Sequence, residues 1–304
     1  MRDSAAETIC ARLCLLTRAA WRDGLPAPLP LPAVRRLIDS GALTGLVLCE
    51  AKGVGEERLE RARALLSRSS DVYALLRKLR ARGYRTLLPE DRDFPTALLS
   101  LGAQMPLFLF ARGNPAVLGG RRIAVAGSRV VSLKTEAYAR QVGERFAQEG
   151  ITMVCGGAQG VDHAAQAGLL DAGGRLILVP AKPVEPLLAE ARMQKALEEG
   201  RLLILCDTLP DETCRAARAL RRNHVIYALG RAALVLAARE GKGGSWRGAT
   251  DCLRGGFAPV FVPQDGETDA QDAAGCRALE RLGAGTFSLA SAAPLVEQCK
   301  FEEK

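Results

Sequence analysis

Three times in this chain a short apolar run is followed by a glycine-rich turn. Residues 123–126 lead into Gly127-Ser128-Arg129, residues 151–154 into the stretch from Cys155 through Gly156, Gly157 and Gly160 to Asp162, and residues 233–237 into Gly241-Lys242-Gly243-Gly244-Ser245. A run of this length with no polar alternation is the pattern of a strand buried on both faces, and such strands belong to parallel sheets covered by helices. Further apolar runs at 176–179, 202–206 and 259–262 are separated by helix-length segments. One of these, residues 132–149, places Tyr138, Val142 and Phe146 on one helical face and stops at Gly150. The alternation predicts an α/β fold with a mostly parallel, doubly wound, Rossmann-like sheet, and ligands of such sheets sit at the carboxyl ends of the strands.

The turns are suited to anions. A glycine lets the backbone approach closely, the first amides of the following helix have no internal partner, and Arg129 adds a forked cation. The charge balance points the same way. The chain of 304 residues carries a formal net charge of +8, and residues 215–254 hold nine Lys or Arg against Glu240 and Asp251. That stretch, which includes Arg221, Arg222 and Asn223, is the expected contact for an anionic partner.

Other chemistries find little support. The nine cysteines contain no C-x-x-C pair and there are only two histidines, so reduced buried thiols are expected and no metal site is. His163 and His224 have no Ser, Cys or Asp partner at a recognisable spacing, which argues against acid–base catalysis. The early apolar run is interrupted by Arg12 and no later one reaches a membrane-spanning length free of charge. A cytoplasmic protein is expected, with no membrane partner.

Two domains are expected. Residues 1–83 read as a helical module, with helices over 33–38 and 56–66; the segment 25–32 carries four prolines and reads as a turn. Gly53-Val54-Gly55 is compatible with the hairpin of a DNA-binding helix-hairpin-helix and equally with an ordinary turn between helices. Residues 84–304 form the α/β domain, loop-rich until residue 123 and ending in a short tail after a helix at 273–282. Each candidate site residue also has a plain structural reading. The glycines can serve close packing, Asp162 can cap a helix, the arginines can lie on a solvated face, and Tyr227 and Trp246 can be core residues rather than stacking platforms.

Taken in order, the segments DFP (93–95), PLFLFARGN (106–114), AGSR (126–129), CGGAQGVD (155–162), RRNHVIYALG (221–230), GGSWRGA (243–249) and VFVP (260–263) resemble the DprA/Smf family, DNA-processing protein A. The resemblance implies a homodimeric protein that binds single-stranded DNA and assists a RecA-type recombinase in DNA uptake and transformation. It implies no enzymatic activity and no cofactor. The residues it marks for DNA are Gly127, Ser128, Arg129, Gly156, Gly157, Gly160, Asp162, Arg221, Arg222, Asn223, Gly244 and Ser245. The chain departs from the family pattern at His224, where arginine is usual, and at Gln166, Ala237 and Gly248. Two other readings remain open: a phosphoribohydrolase-like enzyme, whose PGG-x-GT turn is not found in residues 243–249, and a nucleotide-binding module, for which a clean G-x-G-x-x-G is missing after the first strand.

Overall fold

The computed structural model describes residues 4–20, 24–50, 54–212 and 216–291, so Gly53 of the G-V-G turn lies outside the described residues. The chain forms two compact units.

The smaller unit comprises residues 1–94, 106–112 and 207–209. It opens with helices α1 (Ser4–Leu16) and α2 (Leu31–Asp39) and a two-stranded antiparallel hairpin, β1 (Leu43–Thr44) and β2 (Val47–Leu48). Helices α3 (Glu56–Leu66) and α4 (Ser69–Ala81) follow, and then strands β3 (Arg85–Leu87) and β4 (Leu109–Gly113), paired antiparallel with Thr86 opposite Phe110. Its core is aliphatic: Ala11 and Leu15 of α1, Val34 and Leu37 of α2, and Leu59, Ala62 and Leu65 of α3 pack together at helical spacing. Two details differ from the sequence reading. The proline-rich segment is not wholly excluded from helix, because α2 begins at Leu31 and carries Pro32 in its first turn, where the missing amide costs nothing. The stretch from residue 84 is also not mainly loop, since it holds β3, β4 and a 3-10 helix, Thr96–Gln104, within the larger unit.

Arginine in this smaller unit is partly architectural. Arg68 is 1% exposed, and its guanidinium donates to the carbonyls of Cys14, Thr17 and Ala19. Arg12, 4% exposed, donates to Leu107 O and pairs with Glu90 at 2.7 Å. Buried cations whose terminal nitrogens are engaged in this way serve the fold.

The larger unit runs through β5 (Arg122–Ala126), α5 (Leu133–Gln148), β6 (Thr152–Cys155), α6 (Val161–Asp171), β7 (Leu176–Leu178), α7 (Val184–Leu188) and α8 (Ala191–Glu198). It continues with β8 (Leu202–Cys206), α9 (Ala216–Leu229), β9 (Ala232–Val235), α10 (Gly243–Gly255), β10 (Val260–Pro263), α11 (Ala274–Arg281) and β11 (Gly285–Phe287). The seven strands are all parallel and stand in the order β11-β10-β9-β5-β6-β7-β8. From β5 the chain winds outward through β6, β7 and β8, then crosses to the other side of β5 and winds outward again. The reversal lies between β5 and β9, which pair with Ala124 opposite Ala233. Most side chains of strands β5 to β9 are buried, which is why their sequences read as continuous apolar runs. The tail predicted after residue 282 contains one further strand, β11, at the sheet edge.

Among the described residues no helix is long and apolar enough to cross a membrane, and no cluster of three or more metal-ligating side chains exists. The described cysteines are free, and all but Cys49 are buried.

Candidate nucleic-acid interface

At the β5/β9 reversal the loops leaving two neighbouring strands diverge to opposite faces of the sheet, and the crevice between them is the place where doubly wound folds bind ligands. A cavity of about 460 Å³ occupies it. It is lined by the loop after β5 (Gly127 to Val130), by Ala158 of the β6–α6 connection and Asp162 in the first turn of α6, by one face of α9, and by Arg239 and Lys242 to Ser245 ahead of and within the first turn of α10.

Direct bonds tie these loops together. Ser128 N donates to Ala237 O at 3.0 Å, Val161 N donates to Ser128 O at 3.2 Å, and Ser245 Oγ donates to Gly127 O at 2.6 Å. Asn223 Nδ2 reaches Gly244 O at 3.3 Å, linking α9 to the start of α10. Gly160 must be glycine for two reasons: its φ is +78°, and a Cβ there would stand 2.4 Å from Ser128 O. Gly127 has no room for a side chain because the Val161 side chain is 2.4 Å from its would-be Cβ. Gly127 and Gly160 therefore let the β5 and β6 loops pack against each other.

Arg222 is the central cation. It is only 6% exposed, it lines the cavity, and its Nε has no hydrogen-bond partner among the described residues. Its Nη1 lies so close over Gly156 that a Cβ at that position would be 1.9 Å away. Asp162 sits opposite, where its Oδ2 accepts from Gly156 N at 3.1 Å and Ala158 N at 3.3 Å. Burial pushes the Asp162 carboxyl up to about 6, against the pull of Arg222, of the two amides and of Arg129. Exposed Arg129, Arg239 and Lys242 complete the lining, so four cations face one carboxylate. Helix α10 has no side-chain cap at its N-terminus, which leaves its first amides to whatever occupies the cavity.

The sequence candidates divide accordingly. Gly127, Ser128, Arg129, Asp162, Arg222, Asn223, Gly244 and Ser245 line the cavity together. Gly156 lies beneath Arg222, Gly157 packs against Leu178, Gly160 holds the loop crossing, and Arg221 is half-buried outside the lining. The hydroxyls of Ser128 and Ser245 are both directed to carbonyls, so they fasten loops. Tyr227 is 1% exposed and packs under Gly248, a core position with only its edge at the cavity. His224 points elsewhere: Nδ1 is 2.7 Å from Gln104 Oε1, Nε2 is 3.1 Å from Asp251 Oδ2, and its ring packs on Phe257. Arg239 had no motif to announce it; the only signal was its place just beyond a strand end in the basic stretch.

Comparison with known proteins agrees with the arrangement. The family model described as DNA recombination-mediator protein A matches residues 85–299. The chain is 29% identical over 249 residues to the DNA processing protein DprA of Mycobacterium tuberculosis, covering 76% of this chain and 62% of that relative's length. It is 29% identical over 213 residues to DprA of Bacillus subtilis, covering 67% and 70%. The fold matches the crystal structure of DprA from Streptococcus pneumoniae with a TM-score of 0.70 at 20% identity over 100% of both chains. It matches DprA from Helicobacter pylori, whose structure concerns its single-stranded DNA binding mode, with a TM-score of 0.55 at 24% identity over 70% of this chain and 94% of that one. With an ordered set of motifs, a parallel sheet that reverses at β5/β9 and a family match over most of its length, this chain belongs to the DNA recombination-mediator protein A family.

Proposed function

We propose that this protein binds single-stranded DNA and acts as a recombination mediator that assists a RecA-type recombinase during DNA uptake and transformation, working as a cytoplasmic homodimer and not as an enzyme. The observation that carries the binding reading is Arg222: a guanidinium 6% exposed, with an unpartnered Nε, set in a cavity beside Arg129, Arg239 and Lys242. A phosphate chain supplies the acceptors such a site lacks. The first amides of α10 add donors without reading sequence. A flexible strand follows a groove of loops, and loops supply much of this lining. The Helicobacter pylori relative named above supports the same ligand class. The candidate DNA residues are the twelve from Gly127 to Ser245 named in the sequence analysis. Of these, Gly156, Gly157 and Gly160 act by shaping the loops, and Arg221 lies beside the cavity.

The test is affinity for a single strand and for blunt duplex of equal length at two salt concentrations. The single strand should bind more tightly, and its affinity should fall with salt. Four lining cations set an upper expectation of a log-log slope of about −3, at roughly −0.7 per phosphate neutralised. Preference for duplex, insensitivity to salt, or release of free base from nucleoside monophosphates would overturn the assignment.

A further inference from the structure

The segment that leaves Arg129 is unusual for a surface loop. Val130 is 73% exposed and Leu133, the first residue of α5, is 85% exposed; these are two of the five large hydrophobic residues that stand exposed among the described residues. Both lie within four positions of one another, and Val130 itself lines the cavity. Isolated surface hydrophobics are ordinary, but here one lines a cationic cavity and a second stands exposed three residues on.

The exposure is built into the loop. Ser132, between the two, caps α5 by accepting Thr135 N at 3.2 Å, and its own amide donates to Asp272 Oδ2 at 2.9 Å. Upstream, Ser128 is fixed to Ala237 and Val161. The backbone thus holds Val130 and Leu133 outward, where they cannot bury themselves. The segment reads Arg129-Val130-Val131-Ser132-Leu133-Lys134, so a cation flanks the apolar residues at each end. A single strand carries phosphates and bases side by side.

The cavity also lacks the usual partner for a base. Tyr227 is buried, and Trp246 is not in the lining. Strands are ordinarily held by phosphate contacts together with aromatic side chains on which unstacked bases stack.

We propose that Val130 and Leu133 form an aliphatic lip that contacts unpaired nucleobases of the strand whose phosphates occupy the Arg222 cavity, and that this lip contributes to discrimination against duplex, in which the bases are turned inward. The inference rests on the single-strand reading given above. It assigns to these two side chains a part that charge alone does not supply.

The experiment compares an oligothymidylate with an abasic oligonucleotide of the same length and charge, for the wild type and for Val130→Ser, Leu133→Ser and the double variant. Wild type should bind the base-bearing strand several-fold more tightly. Each substitution should weaken that complex by about three- to fivefold, in keeping with partial burial of one aliphatic side chain, and leave the abasic complex unchanged. Unchanged thermal midpoints would show that the variants fold as wild type does. Equal losses on both oligonucleotides, or no loss on either, would overturn the lip. A change in molar mass of the double variant in sedimentation would overturn it too, by assigning the pair to self-association. Failure of the wild type to bind either oligonucleotide would instead sink the single-strand reading, and the lip with it.

Discussion

Arg222 and Gly156 work as one feature. The guanidinium lies over a residue without a side chain, and Gly156→Ala would place a methyl 1.9 Å from Nη1. The obstructed atom is the end of a flexible side chain, so the protein should fold normally while the arginine swings away. Binding of single strands should then weaken about as much as in Arg222→Ala, with the thermal midpoint nearly unchanged. Gly160→Ala should behave in the opposite way. There the collision is with backbone, Ser128 O at 2.4 Å, and the φ of +78° adds strain, so a loss of stability of about 1–3 kcal/mol is expected in denaturant titration.

Asp162 adds a pH dependence whose sign follows from its environment. Burial raises its carboxyl from 3.8 to about 6, so between those values the folded protein holds a proton that the unfolded chain has released. The contribution of this group to stability therefore grows as pH falls from 6 toward 3.8 and is lost as pH rises through 6. Bound phosphate disfavours the ionised form further, so single-strand affinity should rise as pH falls from 7 to 5.5. Asp162→Asn keeps an oxygen to accept from Gly156 N and Ala158 N but has no proton to exchange. The variant should bind at least as tightly at pH 7 and show a flatter pH profile than wild type. A parallel slope in both proteins would remove Asp162 as the titrating group.

At the scale of elements, the site depends on where strands end and helices begin. Ser245, at the start of α10, donates to Gly127 O at 2.6 Å and so fastens the third turn to the first. Ser245→Ala should cost about 1 kcal/mol of stability and a modest part of the affinity, because the α10 amides lose their fixed bearing on the cavity. Much of this arrangement was legible beforehand. Strands β5 to β9 are buried on both faces, so their sequences are unbroken apolar runs, and Gly127 and Gly160 stand where loops cross at distances no side chain permits. β3, β4 and β11 were harder to read because they carry polar or exposed positions, as at Arg85, Arg112 and Thr286. The difference between Arg221 and Arg222 could not be read from composition, since adjacent arginines look alike. The phase of α9 separates them: Arg222 and Ile226, and Asn223 and Tyr227, are pairs one turn apart and face the cavity, and Arg221 does not. The same phase sends His224 to Gln104 and Asp251. An arginine at that position would displace those contacts and the packing on Phe257, so His224→Arg is expected to lower stability before it could strengthen the grip on DNA.

For the whole molecule, the question is whether affinity comes from the net charge of +8 or from the cations gathered at the strand ends. The two contribute differently to salt dependence. Arg68 and Arg12 have donors committed to carbonyls and Glu90, and Arg61 donates to Ala27 O and Pro28 O, so a good part of the arginine content is already engaged in holding the fold. Arg254 makes a suitable control: it is exposed, it lies in the same basic stretch, and it sits at the far end of α10 from the cavity. Replacing Arg129 or Arg222 by Ala should weaken single-strand binding about equally across sequences and reduce the magnitude of the salt slope by roughly 0.7. Replacing Arg254 should change both quantities little, since a charge outside the groove and within reach of salt is mostly screened at physiological ionic strength. Fluorescence anisotropy with strands of two unrelated sequences, at four salt concentrations, separates the alternatives. Equal losses at Arg254 and Arg222 would mean that diffuse surface charge attracts the strand. A loss confined to Arg129 and Arg222 would place the phosphates at the carboxyl ends of β5 and β9, where the reversal of the sheet opens the cavity.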